Sequence, residues 1–196
     1  MKILLLIFSY LLGSVPFGYI LFWFSEKKDI RQFGSGNIGF TNVARLKGIS
    51  FGLPVLVLDI LKGFIPVFFA IIIFDDLTLA SLAGFLAVAG HIFSVFLKFR
   101  GGKGFATTLG VFACLSLKGT FLIVGIALIC VFVTRYVSLG SILGAFFYPI
   151  ILLIFDTSLN IVIISTLISI LVIIRHQENI RRLLKGEERK IGKKYD

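Results

Sequence analysis

Long apolar runs recur along almost the whole of this 196-residue chain and limit the folds open to it. Hydrophobic residues make up 58% of the sequence and charged residues only 15%, whereas soluble domains carry about a quarter of charged residues. A helix of about 20 apolar residues crosses the hydrocarbon core of a bilayer, so runs of this length predict transmembrane helices. We therefore predict an all-α, polytopic integral membrane helical bundle of about seven transmembrane helices, forming a single domain over residues 1–196. The predicted spans are 3–24, 53–74, 77–97, 105–117, 120–134, 138–155 and 159–174.

The run at 105–117 is short for a span, because a helix of that length covers only about 20 Å of a hydrocarbon core of about 30 Å. It and the next run, 120–134, fit either two short tilted spans or one re-entrant hairpin. Both arrangements leave from and return to the same side of the membrane. The first run continues to about Phe24 without a small-residue cleavage site, so we expect it to be retained as a span.

Basic residues are concentrated in alternate loops and in the tail that begins at Arg175. Of the 20 Lys and Arg residues, only Lys2, Lys62 and Lys118 lie elsewhere. Because cytoplasmic loops carry the excess of Lys and Arg, this distribution predicts an N-terminus outside and a C-terminus in the cytoplasm.

A polar segment rich in glycine, residues 34–45, follows the first run and reads Gly-Ser-Gly-Asn-Ile-Gly-Phe-Thr-Asn-Val-Ala-Arg. Glycines allow backbone N–H groups to approach an anion closely, and the segment ends in a cation. It is therefore predicted to bind substrate through Ser35, Asn37, Thr41, Asn42 and Arg45.

A second glycine segment lies between the third and fourth runs, where Phe-Arg-Gly-Gly-Lys-Gly-Phe-Ala-Thr leads into a helix. Backbone amides, a helix N-terminus and a lysine together suit phosphate. A nucleotide-binding P-loop is not supported, because its first glycine position is occupied by Leu97 and Gly104 follows the lysine. The alternative without a specific binding site is a flexible basic loop that contacts lipid headgroups. The predicted substrate-binding residues are Gly101, Gly102, Lys103, Gly104 and Thr107.

Two charged residues, Asp59 and Lys62, lie inside the second run on one helical face. Ionised groups in a membrane are costly, so they are paired or face a polar cavity. We expect a structural ion pair that orients the site, with direct contact to substrate as the alternative. Cysteine and histidine show no metal-ligand spacing, so neither a metal nor a cofactor is expected.

The last run ends in Arg-His-Gln-Glu-Asn-Ile, which places His176 and Asn179 on one face at the membrane surface. A neutral imidazole can accept a proton at ordinary pH. Ser141, at the start of the sixth run, could face the same pocket. Single serines near helix starts more often cap the helix than react, so capping is the alternative for Ser141.

Several of these motifs, in this order, resemble the bacterial acyl-phosphate:glycerol-3-phosphate acyltransferase family, PlsY. The resemblance rests on Gly-Ser-Val-Pro-Phe-Gly in the first run, the two glycine segments, Asp-x-x-Lys-Gly in the second run, and Arg-His-x-x-Asn-Ile. It covers nearly the whole chain. Two residues depart from the family pattern: Ser94, where proline is usual, and Phe40, where a small residue is commoner.

The resemblance implies a membrane-embedded acyltransferase of phospholipid biosynthesis in the bacterial cytoplasmic (inner) membrane, with its active site facing the cytoplasm. The reaction would move a fatty acyl group from acyl phosphate to the 1-hydroxyl of glycerol 3-phosphate, giving lysophosphatidic acid and phosphate. Ser35, Arg45 and Lys103 would bind phosphate, with amides of 34–39 and 101–104 assisting. The catalytic residues would be Ser141, His176 and Asn179, which position the glycerol hydroxyl and the reacting carbonyl, and His176 or a substrate phosphoryl oxygen would be the base. The expected partners are the two substrates and membrane lipid, with no nucleic acid.

Two other classes of protein remain open from the residues themselves. A small-anion transporter would require broken spans and a midplane site, usually in an internally repeated fold, whereas here the polar clusters lie at one surface and no repeat is evident. A membrane adaptor with a basic lipid-binding face would not require glycine loops or the charged pair in the second run. The His-x-x-x-x-Asp motif of acyl-CoA-dependent glycerolipid acyltransferases is absent, because Phe96 and Arg181 occupy the aspartate positions.

Overall fold

The computed structural model describes residues 1–155 and 157–192. That part of the chain is helical and contains no β-strand, which confirms the predicted all-α class. Two short 3-10 turns, Ile30–Gln32 and Val95–Leu97, lie between helices. Lys193 and Lys194 of the predicted basic tail lie outside the described residues. The α-helices are α1 (Lys2–Ser14), α2 (Phe17–Glu26), α3 (Phe40–Lys47), α4 (Ile49–Phe74), α5 (Leu77–Ile92), α6 (Phe105–Leu115), α7 (Leu117–Thr134), α8 (Val137–Ile154), α9 (Leu159–Arg175) and α10 (Gln177–Leu184).

Five helical segments are long and apolar enough to cross a membrane. Helices α9 and α10 qualify only as a pair, and a bend of 57° separates them. Helix α6 has 11 residues and is shorter than a span. The chain is thus a multi-pass membrane protein with five or six such segments among its described residues. The five are Lys2–Glu26, Ile49–Phe74, Leu77–Leu97, Leu117–Thr134 and Val137–Ile154.

The helices form two compact units, Met1–Leu115 and Ser116–Asp196. In the first unit α1 packs against α5 and α4, and α4 packs against α5 and α6. The first predicted span is two helices, because α1 ends at Ser14 and α2 begins at Phe17. Pro16 lies at this break, where it lacks an amide hydrogen to continue the helical ladder.

An apolar cluster anchors the polar segments of the first unit. It joins side chains of α2, α3 and α4 to the two 3-10 turns and to the loop before α3. Burial of these side chains holds the glycine loop on a fixed support. Its members are Phe22, Ile30, Ile38, Val43, Val55 and Leu97.

In the second unit α8 packs against α7 and α9, and α10 contacts α8 and α9. The chain turns back after α10, and the Ile191 N–H donates to the Arg135 carbonyl at 2.9 Å. This return places the residues after α10 beside the start of α8.

Candidate functional site

Asn42 organises the first glycine loop. Its Oδ1 accepts a hydrogen bond from the Ser35 N–H at 2.8 Å, and its Nδ2 donates to the carbonyls of Phe33 at 3.1 Å and Asn37 at 2.8 Å. The side chain is only 1% exposed, and both of its donors are used. The structure therefore assigns Asn42 to the shape of the loop, in place of the substrate contact that the sequence predicts.

The other predicted residues of this segment differ in their exposure. Asn37 accepts from the Gly39 N–H at 2.8 Å, directly before α3, so its side chain also supports the turn. Ser35 is exposed, whereas Thr41 and Arg45 are half-buried on the first and last turns of α3. Ser35, Thr41 and Arg45 thus keep side chains that a ligand can reach.

Two cations near this loop are held by carboxylates. Lys47 forms an ion pair with Glu26, and Arg31 lies 2.6 Å from the Asp29 carboxylate. The hydrogen bond from Arg31 lowers the pKa of the Asp29 carboxyl. Lys47 and Arg31 are therefore engaged in local ion pairs beside the first glycine loop.

The second glycine loop is tied back onto the end of α5. The Gly101 N–H donates to the Ile92 carbonyl and the Gly102 N–H to the His91 carbonyl, each at 3.0 Å. The sequence predicts that these amides assist phosphate binding, but here they hold the loop in shape. Lys103 is half-buried and Gly104 is buried.

Thr107 does not reach the loop surface. It is 0% exposed, and its carbonyl lies so close to Gly63 of α4 that a Cβ there would overlap it. The predicted contact between Thr107 and substrate is thus replaced by a contact between α4 and α6.

Asp59 and Lys62 form an ion pair in which Nζ lies 2.8 Å from Oδ1, and each residue is 2% exposed. Lys62 also donates to the Val15 carbonyl at 2.8 Å. His91 brings its Nδ1 to 3.7 Å from the same Asp59 oxygen. This buried group lies within the first unit and offers little surface to a ligand.

His176 stands in the bend between α9 and α10, and its Nδ1 lies 2.7 Å from the Val172 carbonyl. A carbonyl oxygen only accepts, so Nδ1 carries the hydrogen of this bond. In the neutral ring the proton-accepting nitrogen is then Nε2, as a general base requires.

A carboxylate that sequence reasoning missed, Glu188, links two helices of the second unit. Its Oε1 accepts from Ser138 Oγ and from Asn179 Nδ2, and its Oε2 from Arg182 Nε, each at 2.7 Å. Burial raises the pKa of the Glu188 carboxyl, but hydrogen bonds from Ser138, Arg182 and Asn179 and the charge of Arg182 outweigh it, so the net pKa is lowered. Two adjacent glutamates in a basic tail give no signal of which one is buried.

Ser141 lies one turn along α8 from Ser138 and is 7% exposed. Its hydroxyl donates to the Val137 carbonyl at 3.0 Å within the helix. Ser138, rather than Ser141, is therefore the serine that shares a carboxylate with Asn179.

Each unit thus brings together part of the predicted set. The first unit gathers the two glycine segments and the buried pair of α4, and the second gathers His176, Asn179, Ser138 and Glu188. Among the described residues, no group of three or more His, Cys, Asp or Glu side chains could hold a metal ion.

Comparison with known sequences gives one consistent family. A family model described as glycerol-3-phosphate acyltransferase matches residues 3–186. The glycerol-3-phosphate acyltransferase of Endomicrobium trichonymphae is 43% identical over 97% of this chain and 96% of its own length. Glycerol-3-phosphate acyltransferase 2 of Bacillus anthracis is 44% identical over 97% of this chain and 100% of its own length.

Two solved structures resemble the fold closely. One is a crystal structure of PlsY (YgiH), an integral membrane glycerol 3-phosphate acyltransferase, in its glycerol 3-phosphate form; it has a TM-score of 0.94 and 40% identity, covering 97% of this chain and 96% of its own. The lysophosphatidic acid form of PlsY has a TM-score of 0.89 and 38% identity, covering 97% and 95%.

Proposed function

Because this chain belongs to the glycerol-3-phosphate acyltransferase family and is a membrane acyltransferase, we propose that its donor is acyl phosphate and its acceptor glycerol 3-phosphate. The observation that carries this proposal is the close match, over nearly the whole chain, to a structure in a glycerol 3-phosphate form. The small-anion transporter that the residues left open finds no support in this family. The products are lysophosphatidic acid and inorganic phosphate.

Ser35, Arg45 and Lys103 bind phosphate, with Thr41 at the edge of the first loop. Their positions support this role. Exposed Ser35 and half-buried Lys103 lie on loops whose backbones are held by internal hydrogen bonds, and half-buried Arg45 lies on α3 directly after the first loop. A ligand then meets preformed positions and does not have to order the loop, which lowers the cost of binding. Gly101, Gly102 and Gly104 contribute by letting the loop fold tightly around the position of Lys103.

His176, Asn179 and Ser141 act on the reacting groups. The 1-hydroxyl oxygen attacks the acyl carbonyl carbon, and the bond from that carbon to the phosphate oxygen breaks. The hydroxyl proton passes to His176 Nε2 or to a phosphoryl oxygen, and phosphate leaves with the electron pair. The tautomer set by Val172 supports His176 as the base. An acyl phosphate already has a good leaving group, so positioning and stabilisation of the developing oxyanion supply most of the remaining barrier reduction.

The chain is a single domain over residues 1–196 that crosses the bacterial cytoplasmic membrane about seven times, with its N-terminus outside and its C-terminus and active site at the cytoplasmic face. The distribution of Lys and Arg between loops supports this orientation. In this arrangement α6 is the fourth crossing, short and tilted, and α9 is the last.

The deciding experiment incubates the purified protein with labelled glycerol 3-phosphate and either acyl phosphate or acyl-CoA. We expect labelled lysophosphatidic acid and one equivalent of phosphate with acyl phosphate, and no product with acyl-CoA. Product formed from acyl-CoA at an equal rate would overturn the proposed donor. Absence of product from both donors would overturn the proposed function.

A further inference from the structure

The buried carboxylate of Asp59 contacts two side chains, Lys62 and His91, that connect it to the two glycine loops. Asp59 Oδ1 is 2.8 Å from Lys62 Nζ and 3.7 Å from His91 Nδ1. The first distance is that of a close ion pair, and the second is an electrostatic contact that is too long for a direct hydrogen bond. Asp59, Lys62 and His91 are each no more than 3% exposed, so solvent screens these contacts little.

Lys62 carries the first connection, to the break between α1 and α2. Pro16 cannot donate there, and the carbonyls before it lose helical partners. Two buried side chains take them up: Lys62 donates to the Val15 carbonyl at 2.8 Å, and Ser94 Oγ donates to the Ser14 carbonyl at 2.5 Å. The direction in which α2 leaves the break is therefore fixed by Lys62 and Ser94.

The start of α2 in turn supports the first glycine loop. Gly18, on the first turn of α2, lies against the Ile38 carbonyl so closely that a Cβ would overlap the oxygen. The Ile38 side chain is 2% exposed and belongs to the apolar cluster with Phe22 and Val55. A shift of α2 must then move the loop that carries Ser35.

His91 carries the second connection, to the other glycine loop. Its carbonyl accepts from the Gly102 N–H at 3.0 Å, and its ring lies so close to Gly102 that a Cβ would overlap Nε2. Lys103 follows directly, so the orientation of the His91 ring bears on the position of this lysine.

A buried ion pair is weak support for stability, because the cost of removing both charges from water offsets their attraction. Burial also leaves Asp59 and Lys62 without the surface that a direct substrate contact requires. From these contacts we infer that Asp59 is a positioning residue that sets the spacing of the two phosphate-binding loops, through Lys62 and Val15 to one loop and through His91 to the other. This inference rests on the proposed function for the identity of the ligand, but not for the coupling between the loops.

The test measures hydrogen exchange of the backbone amides in peptides covering 34–39 and 101–104, in the purified full chain without substrate. In Asp59→Asn we expect exchange in both loops to become faster, on the order of tenfold, because the hydrogen bonds that protect these amides open more often. Lys62→Met should accelerate exchange in 34–39 only. Wild-type rates in both loops of Asp59→Asn, or a change in only one of them, would overturn the inference.

Asp76→Asn is the matched control, since Asp76 is an aspartate of the same unit that pairs with Lys2 at 2.9 Å. It should leave exchange in both loops at wild-type rates. The double variant Asp59→Asn/Lys62→Met separates positioning from charge balance. Faster exchange in both loops of the double variant supports positioning, whereas wild-type rates would show that Asp59 only neutralises a buried lysine.

Kinetics of the same variants provide the second readout. The KM for glycerol 3-phosphate should rise on the order of tenfold in Asp59→Asn. This variant is compared with the control Asp76→Asn at temperatures where both proteins remain folded. An unchanged KM with loosened loops would overturn the link to substrate binding. If the wild-type protein had no transferase activity, the proposed function would be wrong, but the coupling between the loops measured by hydrogen exchange would still hold.

Discussion

The side-chain amide of Asn179 donates a 2.7 Å hydrogen bond to the Glu188 carboxylate, and this contact fixes the direction in which the amide faces. A carboxylate only accepts, so Nδ2 must point to Glu188 and Oδ1 must point away from it. Glu188 thereby determines the orientation of the amide of Asn179, the residue to which the proposed function gives the positioning of a substrate hydroxyl. Glu188, in the segment after α10, thus contributes to the proposed reaction indirectly, because it orients Asn179.

Glu188→Gln should destabilise the protein at neutral pH by about 1–3 kcal/mol, because Arg182, Asn179 and Ser138 lose a charged acceptor. The pKa of Glu188 is lowered in the fold, so its stabilisation is present above its ordinary pKa of 4.5 and is lost as the pH falls through the folded value. Melting curves of both proteins in detergent from pH 7 to pH 3 should therefore converge at the acid end. A constant difference across this range would contradict the assigned role of the carboxylate.

Arg45→Ala and Lys103→Ala should each raise the KM for glycerol 3-phosphate or for acyl phosphate about 10- to 100-fold, since each removes a charge-assisted hydrogen bond to phosphate. Lys47→Ala is the matched control, because it removes a cation from the same helix turn that the proposed function does not assign to phosphate. Steady-state kinetics in both substrates check the expectation. Equal effects of Arg45→Ala and Lys47→Ala would refute a specific phosphate contact.

His176→Asn should lower kcat by about 10²- to 10⁴-fold if the imidazole is the base. Asparagine can still donate an N–H toward the Val172 carbonyl, but it cannot take a proton. The pH dependence of kcat separates the two bases: the acidic limb should disappear in the variant. Retention of that limb with a small loss of rate would instead assign the proton to a phosphoryl oxygen of the substrate.

Asn42→Ala should loosen the first loop, because the Ser35 N–H and the carbonyls of Phe33 and Asn37 lose their partner. Buried polar groups left unsatisfied cost about 1–3 kcal/mol each, less where water enters. We expect a lower melting temperature together with a higher KM for the phosphate substrate. An unchanged melting temperature with a raised KM would return Asn42 to the role of direct ligand.

The helical class and most of the helix boundaries follow from the sequence, because long apolar runs indicate helices. The polar segments follow from it because glycine and polar residues interrupt those runs. The partners of individual polar groups do not. Asn42 and Ser35 are both small polar residues of the same glycine segment, and the sequence does not distinguish them. Asn42 is buried with both of its donors used, whereas Ser35 is exposed. Glu188 was missed for the same reason, since the return of the chain toward Arg135 is a tertiary contact without a local motif.

Thr107 shows how the register of a helix decides between binding and packing. Its position just after a glycine loop suggested a ligand for phosphate, but the face of α6 on which it lies is the one that meets Gly63. Nothing in the spacing of the loop specifies which face of the following helix packs against α4.

The bend between α9 and α10 has a chemical consequence. In a continuous helix the Val172 carbonyl would accept from the N–H four residues later, which is that of His176. Here that N–H bonds to the Ile173 carbonyl at 2.9 Å, and the imidazole Nδ1 lies at the Val172 oxygen instead. The irregular backbone thus selects the tautomer of the ring, so that a change which straightened the helix would remove the proposed base function of His176 without altering its side chain.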